Sequence, residues 1–198
     1  MQTSILHIQE HNTGNVVEAV GASLRGGGVC IIPTDTLYGI VAIDRYADAV
    51  KRIYEIKHRP EHMPFIRLIG RLDAVGRYTS QMIPEQLSRF WPGPLTIVFT
   101  SRSGGTVSIR YPDDSFLHSI FHAINFEVLV APSANISGHE NIFRCEDLVS
   151  TFGGKVDMIV CRKEGPVRSS ASTIIDISAS KWKILRKGDI EVDLPSEE

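Results

Sequence analysis

A chain of 198 residues that is 42% hydrophobic and 22% charged is long enough to bury one sizeable core. Its formal net charge of -2 argues against a general nucleic-acid or membrane coat, so any basic partner site must be local. No stretch approaches bilayer-spanning length, and the opening "MQTSILHIQEHN" lacks the basic start and apolar run of a signal peptide, so a cytoplasmic protein without membrane attachment is expected.

In chain order, "SILHI" reads as a short strand, and "NVVEAVGASLRGG" as a helix with Val16, Val17, Val20 and Leu24 at helical spacing. Gly26, Gly27 and Gly28 leave that helix and enter the strand Val29 to Ile32, the reverse of a phosphate loop, whose glycines precede a helix. "DRYADAVKRIYEIK" predicts a helix burying Ala47, Val50, Ile53 and Tyr54, and Pro60 and Pro64 break the pattern after it. Next come a strand "FIRLI", a short helix "PEQLSRF", a strand within "WPGPLTIVF", a strand "TVSIRYP", a helix "SFLHSIFHAIN" and a strand "EVLVAP". A helix "CEDLVSTFGG", strands "MIVC" and "STIIDI", and an edge strand "WKILRKG" follow. This alternation predicts an α/β fold in one domain over residues 1–190, with a solvated acidic tail over 191–198.

Several of these strands end in polar clusters: "PTDTLYG", "TVSIRYP", "APSANISG" and "SSASTIID". Open α/β sheets bind ligands beyond strand ends, and these clusters together supply hydroxyls, amides and Arg110 for a substrate rich in carboxylate or phosphate oxygens. The first is the most informative. A simple turn needs only Asn, Ser or Gly, whereas Thr34, Asp35, Thr36 and Tyr38 form a wall of hydrogen-bonding groups.

Charge gives a second signal. Residues 51 to 77 hold seven cations against three anions. Lys51 and Arg52 read as a solvated helix face, while Lys57 and Arg59 straddle the helix end, where flexible cations can meet a polyphosphate. "HRPEH" matches the His-x-x-Glu-His metallopeptidase pattern in letters only, since Pro60 removes the helix that would align His58 and His62, and no metal site is assigned. The sequon at Asn135 matters only in a secreted protein. Cys30, Cys145 and Cys161 are odd in number and widely spaced, and are expected to be three idle thiols.

The motif order of the whole chain resembles the YrdC-type family of threonylcarbamoyl-AMP synthases, from about Gly14 to Ile190. Family members read Pro-Thr-Glu-Thr-x-Tyr-Gly, Lys-x-Arg-Pro, Trp-Pro-Gly-x-Leu-Thr, Val-x-x-Arg-x-Pro, Ala-Pro-Ser-Ala-Asn-x-Ser-Gly, Ser-Thr-x-x-Asp and Ile-Leu-Arg. Here "PTDTLYG", "KHRP", "WPGPLT", "VSIRYP", "APSANISG", "STIID" and "ILR" stand in that order. The resemblance implies a twisted open mixed sheet flanked by helices, with a deep positively charged cavity for ATP and L-threonine. It implies that threonine and bicarbonate or carbon dioxide form a carbamate that attacks the α-phosphate of ATP, giving threonylcarbamoyl-AMP and pyrophosphate. Magnesium and a partner transferase acting on a tRNA adenosine come with that reading. Carried over residue by residue, Thr36, Tyr38, Arg110 and Thr173 would hold threonine. Lys57, Arg59, Thr106, Ser133, Asn135 and Arg186 would surround ATP, with Lys57 and Arg59 as the catalytic cations.

The chain also departs from the family. Met63, Pro64, Phe65 and Leu68 stand where the family has Asn-Pro-Leu and then a His, Asn141, Ile142 and Phe143 replace an expected Ser-Pro-Thr, and "KEGPVRSSAST" replaces the usual glycine-rich surroundings. These changes leave open a second reading, a YrdC-like module that binds nucleotide or double-stranded RNA without synthase activity.

Overall fold

The computed structural model describes residues 2–163 and 170–194. The 164–169 part of "KEGPVRSSAST" and the 195–198 end of the acidic tail lie outside the described residues. The strands are β1 (Ser4–Ile8), β2 (Cys30–Pro33), β3 (Tyr38–Ile43), β4 (Arg67–Leu68), β5 (Leu95–Thr100), β6 (Thr106–Arg110), β7 (Leu129–Val130), β8 (Met158–Arg162), β9 (Thr173–Asp176) and β10 (Lys183–Arg186). The helices are α1 (Thr13–Arg25), α2 (Ala47–Lys57), α3 (Glu85–Ser88), α4 (Ser115–Ala123) and α5 (Cys145–Phe152), with a 3-10 segment at Leu72–Arg77.

One open sheet runs in the order β1-β8-β2-β3-β7-β4-β6-β5-β9-β10. It is mixed: β1 and β2 flank β8 in parallel, β5 runs parallel to β9, and β2–β3, β3–β7 and β5–β6 are antiparallel. The expected α/β architecture is therefore present, with "WKILRKG" at the edge. Strand alternation sorts the side chains. From β2, Cys30 and Ile32 face a core shared with Val16, Val20 and Leu24 of α1 and Phe116, Leu117, Ile120 and Phe121 of α4. Ile31, between them, faces the opposite core with Ala49, Ile53 and Ile56 of α2 and Leu148 and Phe152 of α5. Both faces of the central strands are covered, which explains why they read as continuous apolar runs.

A third core lies over β5, β6 and β9, where Leu95, Ile97, Phe99, Val107, Ile109 and Ile175 pack with Leu87 and Trp91. Val192 joins it, so the described start of the acidic tail stays on the domain. The strands expected at "FIRLI" and "EVLVAP" shrink to the two-residue β4 and β7, which pair with each other near the sheet centre. Among the described residues no helix is long and apolar enough to cross a membrane.

Close packing between sheet and helix depends on Gly70, just after β4. A Cβ placed there would lie 2.5 to 2.9 Å from the Phe121 side chain in α4. Gly70→Ala is expected to destabilise the fold by about 1 to 3 kcal/mol through overpacking. Urea unfolding should show a lower midpoint with an unchanged slope; an unaltered midpoint would mean that α4 yields freely.

Candidate functional site

The four residues between β2 and β3 make a tight loop whose backbone closes from Thr34 N–H to the Leu37 carbonyl at 3.2 Å. Thr34 reinforces it: its hydroxyl donates to the Leu37 carbonyl at 2.7 Å and accepts from the Thr36 N–H at 3.1 Å. This loop meets the end of β6. Arg110 donates from Nη1 to Thr36 Oγ1 at 2.8 Å and from Nη2 to Asp35 Oδ1 at 2.9 Å, with Thr34 Oγ1 at 3.4 Å. Arg110 and Asp35 form an ion pair in which both side chains are under a tenth exposed. Burial pushes the Asp35 carboxyl up, and the Arg110 charge pulls against that shift. Burial likewise lowers Arg110, with Asp35 opposing.

Thr36, Tyr38, Arg110, Ser133 and Arg186 all line one narrow pocket of about 50 Å³, together with Thr34, Gly39, Ile66 and Ser172. Arg186 reaches it from edge strand β10, held by its Nε on the Ser172 carbonyl at 2.9 Å and its Nη2 on the Ser172 hydroxyl at 3.0 Å. Burial and the charge of Arg110 both lower its pKa, placing two guanidiniums at one site. Tyr38 is fixed from behind, its hydroxyl accepting from the Arg162 N–H at 3.0 Å.

Lys57, the last residue of α2, backs this pocket. Its Nζ donates to the Ser133 carbonyl at 2.6 Å, the Asn135 carbonyl at 2.6 Å and Asn135 Oδ1 at 3.2 Å. Three acceptors use three N–H donors, which only the ammonium has. Burial, with Arg59 adding repulsion, opposes that charge and brings the pKa down to about 8. Ser133 and Asn135 are tied further by Ser133 Oγ on Asn135 Oδ1 at 2.6 Å and Asn135 Nδ2 on the His139 carbonyl at 2.6 Å. Arg59 is held on the turn after α2: its Nε donates to the Met63 carbonyl at 3.0 Å, and its guanidinium lies 5.5 Å from the centre of the Phe65 ring.

Lys57, Arg59 and Asn135 do not themselves line the pocket, and Thr106 and Thr173 fall outside it as well. Thr106 is exposed and pairs with Thr100 at the hairpin end of β6. Four residue steps along the strand separate it from Arg110, about 13 Å. Thr173 is buried, but its hydroxyl donates to the Ile190 carbonyl at 2.9 Å and accepts from the Gly188 N–H at 3.0 Å, so it fastens the chain beyond β10. Strand alternation turns it away and gives its place to Ser172, whose hydroxyl meets Thr96 Oγ1 at 2.8 Å. Ser172 and Thr96 are the groups sequence reasoning missed, although both lie within motifs it singled out, while Asp35, read there as one of a wall of hydrogen-bonding groups, is the buried ion-pair partner of Arg110. Of the departures, Leu68 is buried in the core under α1 and α4, Met63 is exposed beside Arg59, and Asn141 lines a separate cavity of about 600 Å³.

The cysteines correct an expectation. Cys145 and Cys161 are joined in a disulfide with Cα atoms 5.6 Å apart, and only Cys30 is a free thiol among the described residues. A sequence separation of 16 hides this pairing, because the chain leaves the sheet and returns through α5 before β8 brings Cys161 back. His58 and His62 are exposed in a turn, not on a helix.

A family profile named Sua5_yciO_yrdC and described as "Telomere recombination" matches residues 22–188. The chain belongs to that family. It is 30% identical to the threonylcarbamoyl-AMP synthase of Pyrococcus abyssi over 204 aligned positions, covering 96% of this chain and 59% of that protein. A crystal structure of P. abyssi Sua5 complexed with L-threonine superposes with a TM-score of 0.83 at 30% identity, over 94% of this chain and 58% of that one. The chain thus spans a little under three-fifths of these relatives. The crystal structure of Escherichia coli YciO shares the fold at a TM-score of 0.79 and 19% identity, with 96% of this chain and 97% of that one aligned.

Replacing Arg110 by Met would strand the Asp35 carboxylate in the interior and cost about 3 to 5 kcal/mol, whereas Arg110→Met with Asp35→Leu should cost clearly less. Equilibrium unfolding of the two single variants and the double variant measures this. Strict additivity would show that the pair is not coupled.

Proposed function

We propose that this chain carries out ATP-dependent synthesis of L-threonylcarbamoyl-AMP from L-threonine, bicarbonate or carbon dioxide and ATP, releasing pyrophosphate. The observation that carries this reading is the convergence of Thr36, Tyr38, Arg110, Ser133 and Arg186 on one pocket, with Lys57 directly behind it. The name of the P. abyssi relative and the threonine in the P. abyssi Sua5 complex support it.

A carbamate falls apart in water, so the protein's task is to hold it dry and aligned with the α-phosphorus. Its oxygen attacks phosphorus while the bond to the bridging oxygen of pyrophosphate breaks, and negative charge grows on the leaving group. Arg110 and Thr36 are placed to receive the threonine carboxylate and Tyr38 to wall the amino-acid end. Arg110 is already paired with Asp35, so a bound carboxylate must share the guanidinium with it. Ser133, Asn135 and Arg186 would take the nucleotide side, with Lys57 and Arg59 stabilising the phosphate charge. Lys57 works in two ways, as a cation and as the clamp that shapes the Ser133–Asn135 loop. Magnesium would share the charge on the triphosphate, and the pocket must widen beyond its present volume to admit both substrates. A cytoplasmic location and a transferase partner that passes the threonylcarbamoyl group to tRNA complete the reading.

The rival is a nucleotide- or RNA-binding module. Met63 and Leu68 favour it, since neither supplies a polar group to the pocket. The local cation surplus gives it little help, because Arg52 pairs with Asp157, Arg67 with Asp44 and Arg71 with Asp73, while Lys57 is buried.

Incubation of the protein with ATP, threonine, bicarbonate and magnesium is expected to release pyrophosphate only when threonine is present. Tight RNA binding without release would favour the module. Arg59→Ala should weaken ATP use by about 1.5 to 3 kcal/mol, the worth of a hydrogen bond to a charged group, and Lys57→Ala should weaken it through the lost positive charge and the released Ser133–Asn135 loop, since its three N–H groups are held by protein acceptors. Wild-type kinetics in both variants would refute this placing of the triphosphate.

The pKa of Lys57 adds a sign. With its ammonium pKa at about 8, the charge is present below that pH and lost above it, so ATP affinity should fall between pH 7 and 9. In Lys57→Arg, which keeps its charge, the same titration by calorimetry should be flat.

A further inference from the structure

Away from the pocket, on the opposite edge of the sheet, three metal-ligating side chains from three elements meet. His7 of β1 is the parallel register partner of Cys161 in β8, and Cys145 opens α5 above them. One ligand atom from each of His7, Cys145 and Cys161 lies within 4.8 Å of the other two. On β1, Leu6 and Ile8 pack into the core beneath α1 and α4, so alternation turns His7 to the face that α5 covers. His7 is exposed, Cys145 half-buried and Cys161 fully buried.

We propose that, once the Cys145–Cys161 disulfide is reduced, these three residues form a binding site for a borderline-soft divalent cation of the zinc class. Two thiolates and one imidazole are the donor set that such a cation prefers over oxygen-rich sites. Bond lengths of about 2.3 Å to sulfur and 2.0 to 2.1 Å to nitrogen put ligand atoms on one tetrahedral ion roughly 3.5 Å apart, inside the 4.8 Å within which the three already lie. The exposed side of His7 leaves the fourth position to solvent. Packing alone does not account for an imidazole here. Backbone pairing already holds β1 to β8, and Leu148 and Phe152 already anchor α5.

The chemistry balances. Opening the sulfur–sulfur bond takes two electrons and two protons from a dithiol, which closes to its own disulfide, and the cation then displaces both thiol protons. The site is tied to the pocket by one covalent step, since Cys161 precedes Arg162, whose N–H holds the Tyr38 hydroxyl. The inference does not depend on the proposed reaction, because its readout is metal binding and not turnover.

The test is a titration of the full chain with cobalt(II) alone, under argon, after reduction with a dithiol and removal of the reagent. The expected result is one cobalt per chain, with a thiolate-to-cobalt charge-transfer band in the near ultraviolet that zinc abolishes. Cys161→Ser should lose the band. His7→Ala, a surface change that leaves the fold intact by circular dichroism, should weaken cobalt binding at least about tenfold and alter the visible bands. The proposal is overturned if reduced wild-type protein shows no such band, if His7→Ala binds as wild type does, or if the disulfide resists the dithiol.

Discussion

The contact between Arg110 and Asp35 is the constraint around which the site is organised. A guanidinium and a carboxylate, each under a tenth exposed, are costly inside a protein in proportion to the hydrogen-bonding capacity left unmet, here at Asp35 Oδ2 and Arg110 Nε. Thr36 and Thr34 meet part of the capacity of the guanidinium, and in doing so they determine the conformation of the loop between β2 and β3. That loop delivers Tyr38 into β3 with its hydroxyl under the Arg162 N–H. The same residues therefore serve two ends. They make an interior charge tolerable, and they hold a row of hydroxyls in one orientation toward a pocket.

Lys57 performs the corresponding task on the other side. At the C-terminal end of α2 the helix carbonyls favour a cation. Its three acceptors lie in the Ser133–Asn135 segment after β7, and Ser137 N–H returns a bond to its own carbonyl at 3.0 Å. A single buried ammonium thus joins a helix end to a loop that would otherwise have to satisfy its own carbonyls. Sheet order makes the meeting possible. β3 lies between β2 and β7, and an isolated bridge from Gly39 to Ser133 brings the two loops side by side.

Alternation at the entry to β9 separates what belongs to the pocket from what supports it. Ser172 touches Arg186 and Thr96, while its neighbour Thr173 holds the chain after β10. A motif read as letters treats the two hydroxyls as equivalent; the pleat does not. Thr106 shows the same principle along the strand axis, sharing β6 with Arg110 yet belonging to the hairpin end.

The α/β character, the helix face built on Val16, Val20 and Leu24, the place of Ile53 on the buried face of α2, though there Ala49 is buried and the expected Ala47 is exposed, and the hydrogen-bonding role of "PTDTLYG" were legible in the sequence. They depend on local periodicity and on residue chemistry, which a chain carries before it folds. What only the tertiary structure decided was partnership: Asp35 with Arg110, Lys57 with the carbonyls of Ser133 and Asn135, Ser172 in place of Thr173, and Cys145 with Cys161. Each of these contacts joins segments that only the folded sheet, with its loops and helices, brings together, and residue spacing along the chain carries no record of which elements meet.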